Sequence, residues 1–221
     1  MRTYRAVMVL AFSLSSSLAM PTMAETEFSF FGGIQESPHS SIRGTYSDGS
    51  SFRHTAGWEG KSLQLPPYYG LRITRWLDQR YGVALNFTHT KNYSDKSTRD
   101  ASGFTLLEFT DGLNPLTVNF MFRGPEGTFR PYGGIGLGIA IPHVELYNPS
   151  KMTSRVYEYQ YGGPVVSLLG GVRKPINQTW SWFAEYSFHY VTLDVEMGSN
   201  GTFKSNIINN AFNLGLNYSF K

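Results

Sequence analysis

Residues 107–146 read LEFTDGLNPLTVNFMFRGPEGTFRPYGGIGLGIAIPHVEL, and their pattern decides the fold. Two runs alternate with period two on either side of a polar turn, GPEGTF at 124–129, as strands with one greasy and one small or polar face do. In the first run Leu116, Val118, Phe120 and Phe122 oppose Thr117, Asn119 and Met121. In the second Ile135, Leu137, Ile139 and Ile141 oppose Gly134, Gly136, Gly138 and Ala140. A soluble sheet buries its apolar face, whereas a small membrane barrel turns that face to lipid and packs the other one inside. Polar chemistry collects at the far ends: Glu108, Asp111 and Asn114 before the first strand, His143 and Glu145 after the second. A hairpin with a short turn brings those ends together.

Composition favours the membrane. Residues 1–24 carry Arg2 and Arg5, an apolar run and a small residue at Ala24, which is the pattern of a secretory signal peptide cleaved before Glu25. Residues 25–221 then form the mature domain, with 17 basic against 16 acidic side chains once Arg2 and Arg5 are removed. So small an excess argues against nucleic acid as a partner. The chain has no cysteine, so an exported domain of this size holds together without disulfides. Beyond the signal no apolar run approaches the roughly 18 residues that a membrane helix needs. Abundant Tyr, Phe, Gly and Asn in alternating segments fit an all-β transmembrane barrel in the outer membrane of a Gram-negative cell.

Eight strands can be counted: approximately 27–35, 68–76, 81–90, 115–123, 131–141, 157–173, 180–193 and 205–220. Their number is even, as closure of an antiparallel barrel requires, and long connections alternate with short turns, which places the long loops outside and the short ones in the periplasm. The sixth strand changes its outward parity at Gly162-Gly163-Pro164, which reads as a bulge. Trp76 ends the second strand where an interfacial anchor belongs. An eight-stranded interior is filled by side chains and is no diffusion pore. Arg72, Asn86, Asn119, Glu185, His189, Asn213 and Asn217 are expected to form a hydrogen-bonded interior, with the inward glycines of 134–138 leaving room for Tyr68 or Phe183. Function is left to the loops, the rim or the lipid-facing wall.

Around the outer rim stand His39, His54, Glu59, Glu108, Asp111, Asn114, His143, Glu145 and Glu158. Such a set suits a divalent metal or acid–base chemistry, while carboxylates there also bind the cations that bridge lipopolysaccharide. His39 and His143 stand out because each follows a proline just beyond a strand end, where a site is held rigidly. There is no flavin or nicotinamide motif, since the Gly134–Gly138 series lies inside a strand, and no nucleophile elbow or zinc-protease motif.

The segments SPHS (37–40), AGWEGKSLQLPPYYGLRITRW (56–76), LEFTDGLN (107–114), GIGLGIAIPHVE (134–145), YEYQYGGP (157–164) and FAEYSF (183–188) run in order through nearly all of the mature chain. In them the chain resembles the lipid A oxidase family of the Gram-negative outer membrane. The resemblance implies an oxygen-dependent enzyme that oxidises the proximal glucosamine of lipid A to 2-aminogluconate and releases hydrogen peroxide, with lipid A, a lipopolysaccharide component of the outer leaflet, as its partner. Direct use of oxygen calls for a flavin or a redox metal, and without a flavin motif or cysteine a divalent metal on His and carboxylate ligands is expected. Rim position suggests His39 and His143 with Glu108 or Asp111 as metal ligands, and Glu59 or Glu145, beside His143, as catalytic groups. A lipid A deacylase would carry a Ser two residues after a strand-borne His, but His189 is followed by Val191 at that spacing. A non-enzymatic barrel, acting as an adhesin or envelope stabiliser, is the alternative from another class. Arg43, Arg53, Lys61, Lys91, Lys96 and Arg99 are candidates for lipid phosphates.

Overall fold

A computed structural model describes residues 25–198 and 200–220, so the expected signal peptide at 1–24 lies outside the described residues. From the N-terminal side the elements are β1 (Thr26–Glu36), β2 (Ser40–Thr45), β3 (Ser51–Ala56), β4 (Trp58–Glu59), β5 (Tyr69–Trp76), β6 (Tyr81–His89), β7 (Asn92–Ser94), α1 (Lys96–Ser102) and β8 (Leu106–Phe109). There follow β9 (Pro115–Arg123), β10 (Arg130–Ala140), β11 (His143–Tyr147), β12 (Val156–Tyr159), β13 (Gly163–Pro175), β14 (Trp180–Glu196) and β15 (Thr202–Phe220). The antiparallel order β1-β5-β6-β9-β10-β13-β14-β15 closes because β15 pairs back onto β1, from Thr26 opposite Phe220 to Glu36 opposite Asn210. Eight strands therefore make the barrel, as the alternation predicts.

Their outward columns remain exposed: Phe30, Ile73, Leu85, Val118, Leu137, Tyr186 and Leu214 are all more than two-fifths accessible. A belt of that kind is covered only by lipid, so the chain is an outer-membrane barrel. The turns at one end are short and set by local chemistry. Asp78 Oδ1 accepts from the N–H groups of Arg80 and Tyr81, and Asn177 Oδ1 accepts from those of Thr179 and Trp180. Inside, Arg72 meets Glu185 through two parallel 2.7 Å hydrogen bonds, and Asn86, Tyr132 and Asn213 complete the cluster. Gly70 and Gly215 lie under the rings of Phe31 and Phe183, where any Cβ would collide.

Several sequence expectations need correction. Trp76 is no interfacial anchor: it shares the inward parity of Arg72 and Thr74, donates to Glu27 Oε2 at 2.9 Å and lies under the Arg123 guanidinium. The glycines at 134 and 136 make room for Met121 and Asn119 rather than for Tyr68 or Phe183. His189 is interior but takes no part in the hydrogen-bond network, since neither ring nitrogen has a protein partner. The expected sixth strand is two elements. β12 ends at Tyr159, and β13 begins only at Gly163, whose φ of 118 redirects the chain.

The largest difference lies outside the membrane, where long segments that read as loops form structure of their own. β14 and β15 run on past the barrel, β2 and β3 add to the free edge of β15, and β12-β11-β8-β7-β4 make a second sheet. The apolar faces of the two sheets pack together. Trp58, Phe104, Leu107, Phe109, Val144 and Leu146 meet Ile42, Phe52, Val191, Leu193, Val195, Phe203 and Ile207 in one buried cluster. Strands of two to six residues are too short to show a period, so tertiary burial rather than propensity fixes them.

Helix α1 holds β7 and β8 in place through its caps. Asp95 accepts from Thr98 N at 2.7 Å, and Gly103, at φ 75, closes the last turn on Arg99 O. Hydrogen bonds from the Thr98 hydroxyl and backbone hold the Asp95 carboxyl below its usual 3.8. A depressed carboxyl pKa contributes stability that is present above the unfolded value and lost as pH falls below it. Asp95→Ala is expected to loosen α1 by about 1 kcal/mol at neutral pH, while Asp95→Asn keeps the cap and removes the acid sensitivity. Limited proteolysis between Ser94 and Gly103, at pH 7 and at pH 3, measures both effects.

Candidate metal centre on the outer wall

The second sheet shows its other face to the outside, and its register sets out a row of side chains. Glu59 on β4 pairs with Tyr93 on β7, Tyr93 with Glu108 on β8, Glu108 with Glu145 on β11, and Glu145 with Tyr157 on β12. Directly paired residues share a face, so three carboxylates and two phenols stand side by side. One step nearer the barrel lie His143 and Asp111. His143 Nδ1 is 3.1 Å from Glu145 Oε1 and 3.7 Å from Asp111 Oδ2. Ligand atoms of Asp111, His143 and Glu145 all fall within 4.8 Å of one another, the one such group of three among the described residues.

Each member is held from behind. The His143 ring is gripped edge-on by Tyr157 and Tyr159, with centroids 4.6 and 4.7 Å away, and its backbone N–H donates to Gly112 O. Thr110 donates to Glu145 Oε1. The turn carrying Asp111 needs Gly112 at φ 95, because a Cβ there would sit 2.3 Å from Asn114 Oδ1 and 2.7 Å from His89 Nδ1. Asn114 reaches Asp111 O and Ile141 O with its amide N–H and meets His89 Nδ1 at 3.0 Å through its oxygen. His89 stacks on Tyr69, which shares the lipid-facing parity of Leu71 and Ile73.

His143 and Glu145 are buried while the Asp111 side chain is 42% exposed, so the cluster opens to one side. Burial, then the neighbouring Glu145, pushes the Glu108 carboxyl above its usual value. Burial also raises Tyr93 and Tyr159, with nearby carboxylates adding to it. Lys61 lies 4.3 Å above the Tyr93 ring and bridges to Glu59, and the buried Lys91 ammonium, lowered by burial and by Lys61, donates to Gln64 O.

Of the residues singled out from sequence, Asp111, His143 and Glu145 come together, and Glu108 lies opposite Glu145. Glu59 ends the same row, engaged with Lys61. His39 does not join them. It precedes β2, beside Asp95, with its Nε2 3.1 Å from where a Gly57 Cβ would be. His54 stacks on Phe52, and Glu158 is bonded to Gln160. His89, Tyr69, Tyr93 and Tyr159 were missed, although a signal existed. Val83, Leu85, Phe87, His89, Lys91 and Tyr93 continue one parity, as do Ile139, Ile141, His143 and Glu145, so lipid-facing columns turn polar at one height.

The fold and this site define a small outer-membrane β-barrel with an ordered outer cap. No family profile matches the chain, and no curated protein sequence matches it. Among solved structures it is similar to Neisserial surface protein A, at 12% identity and a TM-score of 0.50, covering 88% of this chain and 97% of that one. It is equally similar to the outer membrane protein AlkL determined in lipid bilayers, at 13% identity and a TM-score of 0.50, covering 96% and 97%. Likeness at this identity concerns the fold alone.

Proposed function

We propose that this barrel oxidises the proximal glucosamine of lipid A to 2-aminogluconate in the outer leaflet, with dioxygen as acceptor. The observation that carries the reading is the place of the Asp111–His143–Glu145 cluster: outside the barrel wall, where the lipid-facing columns of β6 and β10 end. A sugar headgroup whose acyl chains lie against that wall arrives at this height. The sequence resemblance to lipid A oxidases supports the same reading.

One imidazole and two carboxylates, held from behind and open on one side, fit a divalent first-row metal. When bound there, such a metal supplies electron transfer to oxygen and polarisation of the sugar oxygen. The rest falls to the chain. Exposed Tyr157 and Tyr159 offer rings against which the sugar lies. Glu108, one strand from Glu145, is placed to take the proton of the anomeric hydroxyl. The anomeric C–H and O–H bonds break, two electrons and two protons pass to dioxygen to give hydrogen peroxide, and the resulting lactone takes up water. The anomeric hydroxyl must therefore be free, which makes lipid A phosphorylated at that position a non-substrate. The deacylase reading loses support, because His189 is 1% exposed and faces the barrel interior.

The test is mass spectrometry of lipid A incubated in air with the detergent-folded barrel and iron, manganese or copper. A gain of one oxygen, about 16 Da, with peroxide released and oxygen taken from labelled water, is the expected result. No change under any of the three metals, with the barrel folded, would leave an adhesin or envelope-stabilising barrel as the better reading.

A further inference from the structure

A second charged array lies on the extension formed by β14, β15, β2 and β3. Asp194 pairs across the sheet with Lys204, Lys204 with Arg43, and Arg43 with Arg53. The four side chains thus share one outward face, and Arg43 and Arg53 are both exposed. Like charges directly opposite each other on a sheet are destabilising. Lys204 is balanced by Asp194 at 2.7 Å, as Lys151 is by Asp48 and Lys61 by Glu59. Among the described residues, neither the Arg43 nor the Arg53 guanidinium has an ion-pair or hydrogen-bond partner. Hydroxyl donors flank them on the same face, with Thr45 and Thr202 on one side and Ser51 at the end of β3.

We propose that Arg43, Arg53 and Lys204 bind the phosphorylated headgroup of an outer-leaflet lipid, at a site separate from the metal cluster. Planar guanidinium forks suit phosphate oxygens, and two of them side by side lose their mutual repulsion when an anion lies between. The occupant is a lipid rather than a free anion because the array stands on a lipid-facing column. Lys204 follows the outward parity of Ile208, Phe212 and Leu214, and lies about 13 Å along the strand beyond Ile208 at roughly 3.3 Å per residue. A lipid packed against β15 thus presents its phosphates to the row. The metal cluster lies instead at the outer ends of β6 and β9–β11, so this inference does not depend on the oxidase reading.

Native mass spectrometry of the full barrel, folded in detergent with bisphosphorylated lipid A, tests the proposal. Dephosphorylated lipid A and inorganic phosphate are run alongside. The wild-type chain is expected to retain the bisphosphorylated lipid, and Arg43→Gln with Arg53→Gln to lower that population roughly tenfold or more. Arg75→Gln, at the periplasmic end, should leave it unchanged, and heat-modified gel mobility confirms that each variant is folded. Equal retention by the double variant, or equal retention of dephosphorylated lipid, overturns the proposal. Displacement by millimolar inorganic phosphate alone overturns the lipid assignment in favour of a small-anion site.

Discussion

His143→Ala is expected, on the proposed oxidase reading, to abolish divalent-metal binding at the outer cap and to lower oxidation of lipid A by at least about 100-fold, with the barrel still folded. The imidazole is the one nitrogen donor in the cluster, and its ring is fixed by Tyr157, Tyr159 and Glu145 rather than by any barrel strand. Removal therefore leaves two carboxylates, a set that holds transition metals weakly and releases them on dilution. Asp111→Asn should behave in the same way. His39→Ala should retain both metal and turnover, because that histidine stands apart beside Asp95. Metal content by elemental analysis and turnover by peroxide release, on the same preparations, give the answer. Loss of metal without loss of turnover would remove the cluster from the reaction, and equal loss in His39→Ala would return to the grouping suggested by sequence.

Glu185→Ala is expected to destabilise the barrel by about 3–5 kcal/mol, because it strands the Arg72 guanidinium in the interior. That guanidinium is 4% exposed, lies against the rings of Phe31 and Phe183, and donates to both Glu185 oxygens at 2.7 Å. Arg72→Met combined with Glu185→Leu should recover most of the loss, since a buried ion pair contributes less against an apolar pair than against one unmatched charge. Urea titration of the folded barrel in lipid vesicles, followed by tryptophan fluorescence, distinguishes the two. A single variant as stable as wild type would mean that Arg72 finds an acceptor beyond Asn86, which already takes its Nε–H, and the Tyr132 hydroxyl beside the same carboxylate is a candidate.

The barrel was legible because strands of eight residues and more repeat their alternation often enough to declare a face, and because turns such as Asp78 and Asn177 carry their own chemistry. The cap was not. Trp58, Phe109 and Val144 sit on strands of two, four and five residues, and what makes them strands is the apolar face of the other sheet, far away in sequence. The site was half legible for the same reason. His143, Glu145 and Asp111 flank the hairpin of β9 and β10, so their meeting follows from one short turn. The exclusion of His39 depends on the path of β2 along β15, which no local pattern states. Trp76 shows that alternation outranks residue type: the parity of Arg72 and Thr74 predicts its inward position, whatever the preference of tryptophan for interfaces.

The barrel interior is plugged by side chains from Arg72 to Gln35, and the candidate cluster of Asp111, His143 and Glu145 faces sideways. On the oxidase reading proposed above, a lipid substrate does not pass through the protein; it drifts to the cluster within a two-dimensional fluid. The quantity that governs encounter is then the mole fraction of substrate in its leaflet, not its concentration in the surrounding medium. Only the outer leaflet is in reach of the cap, so on that reading the asymmetry of the membrane is itself part of the specificity.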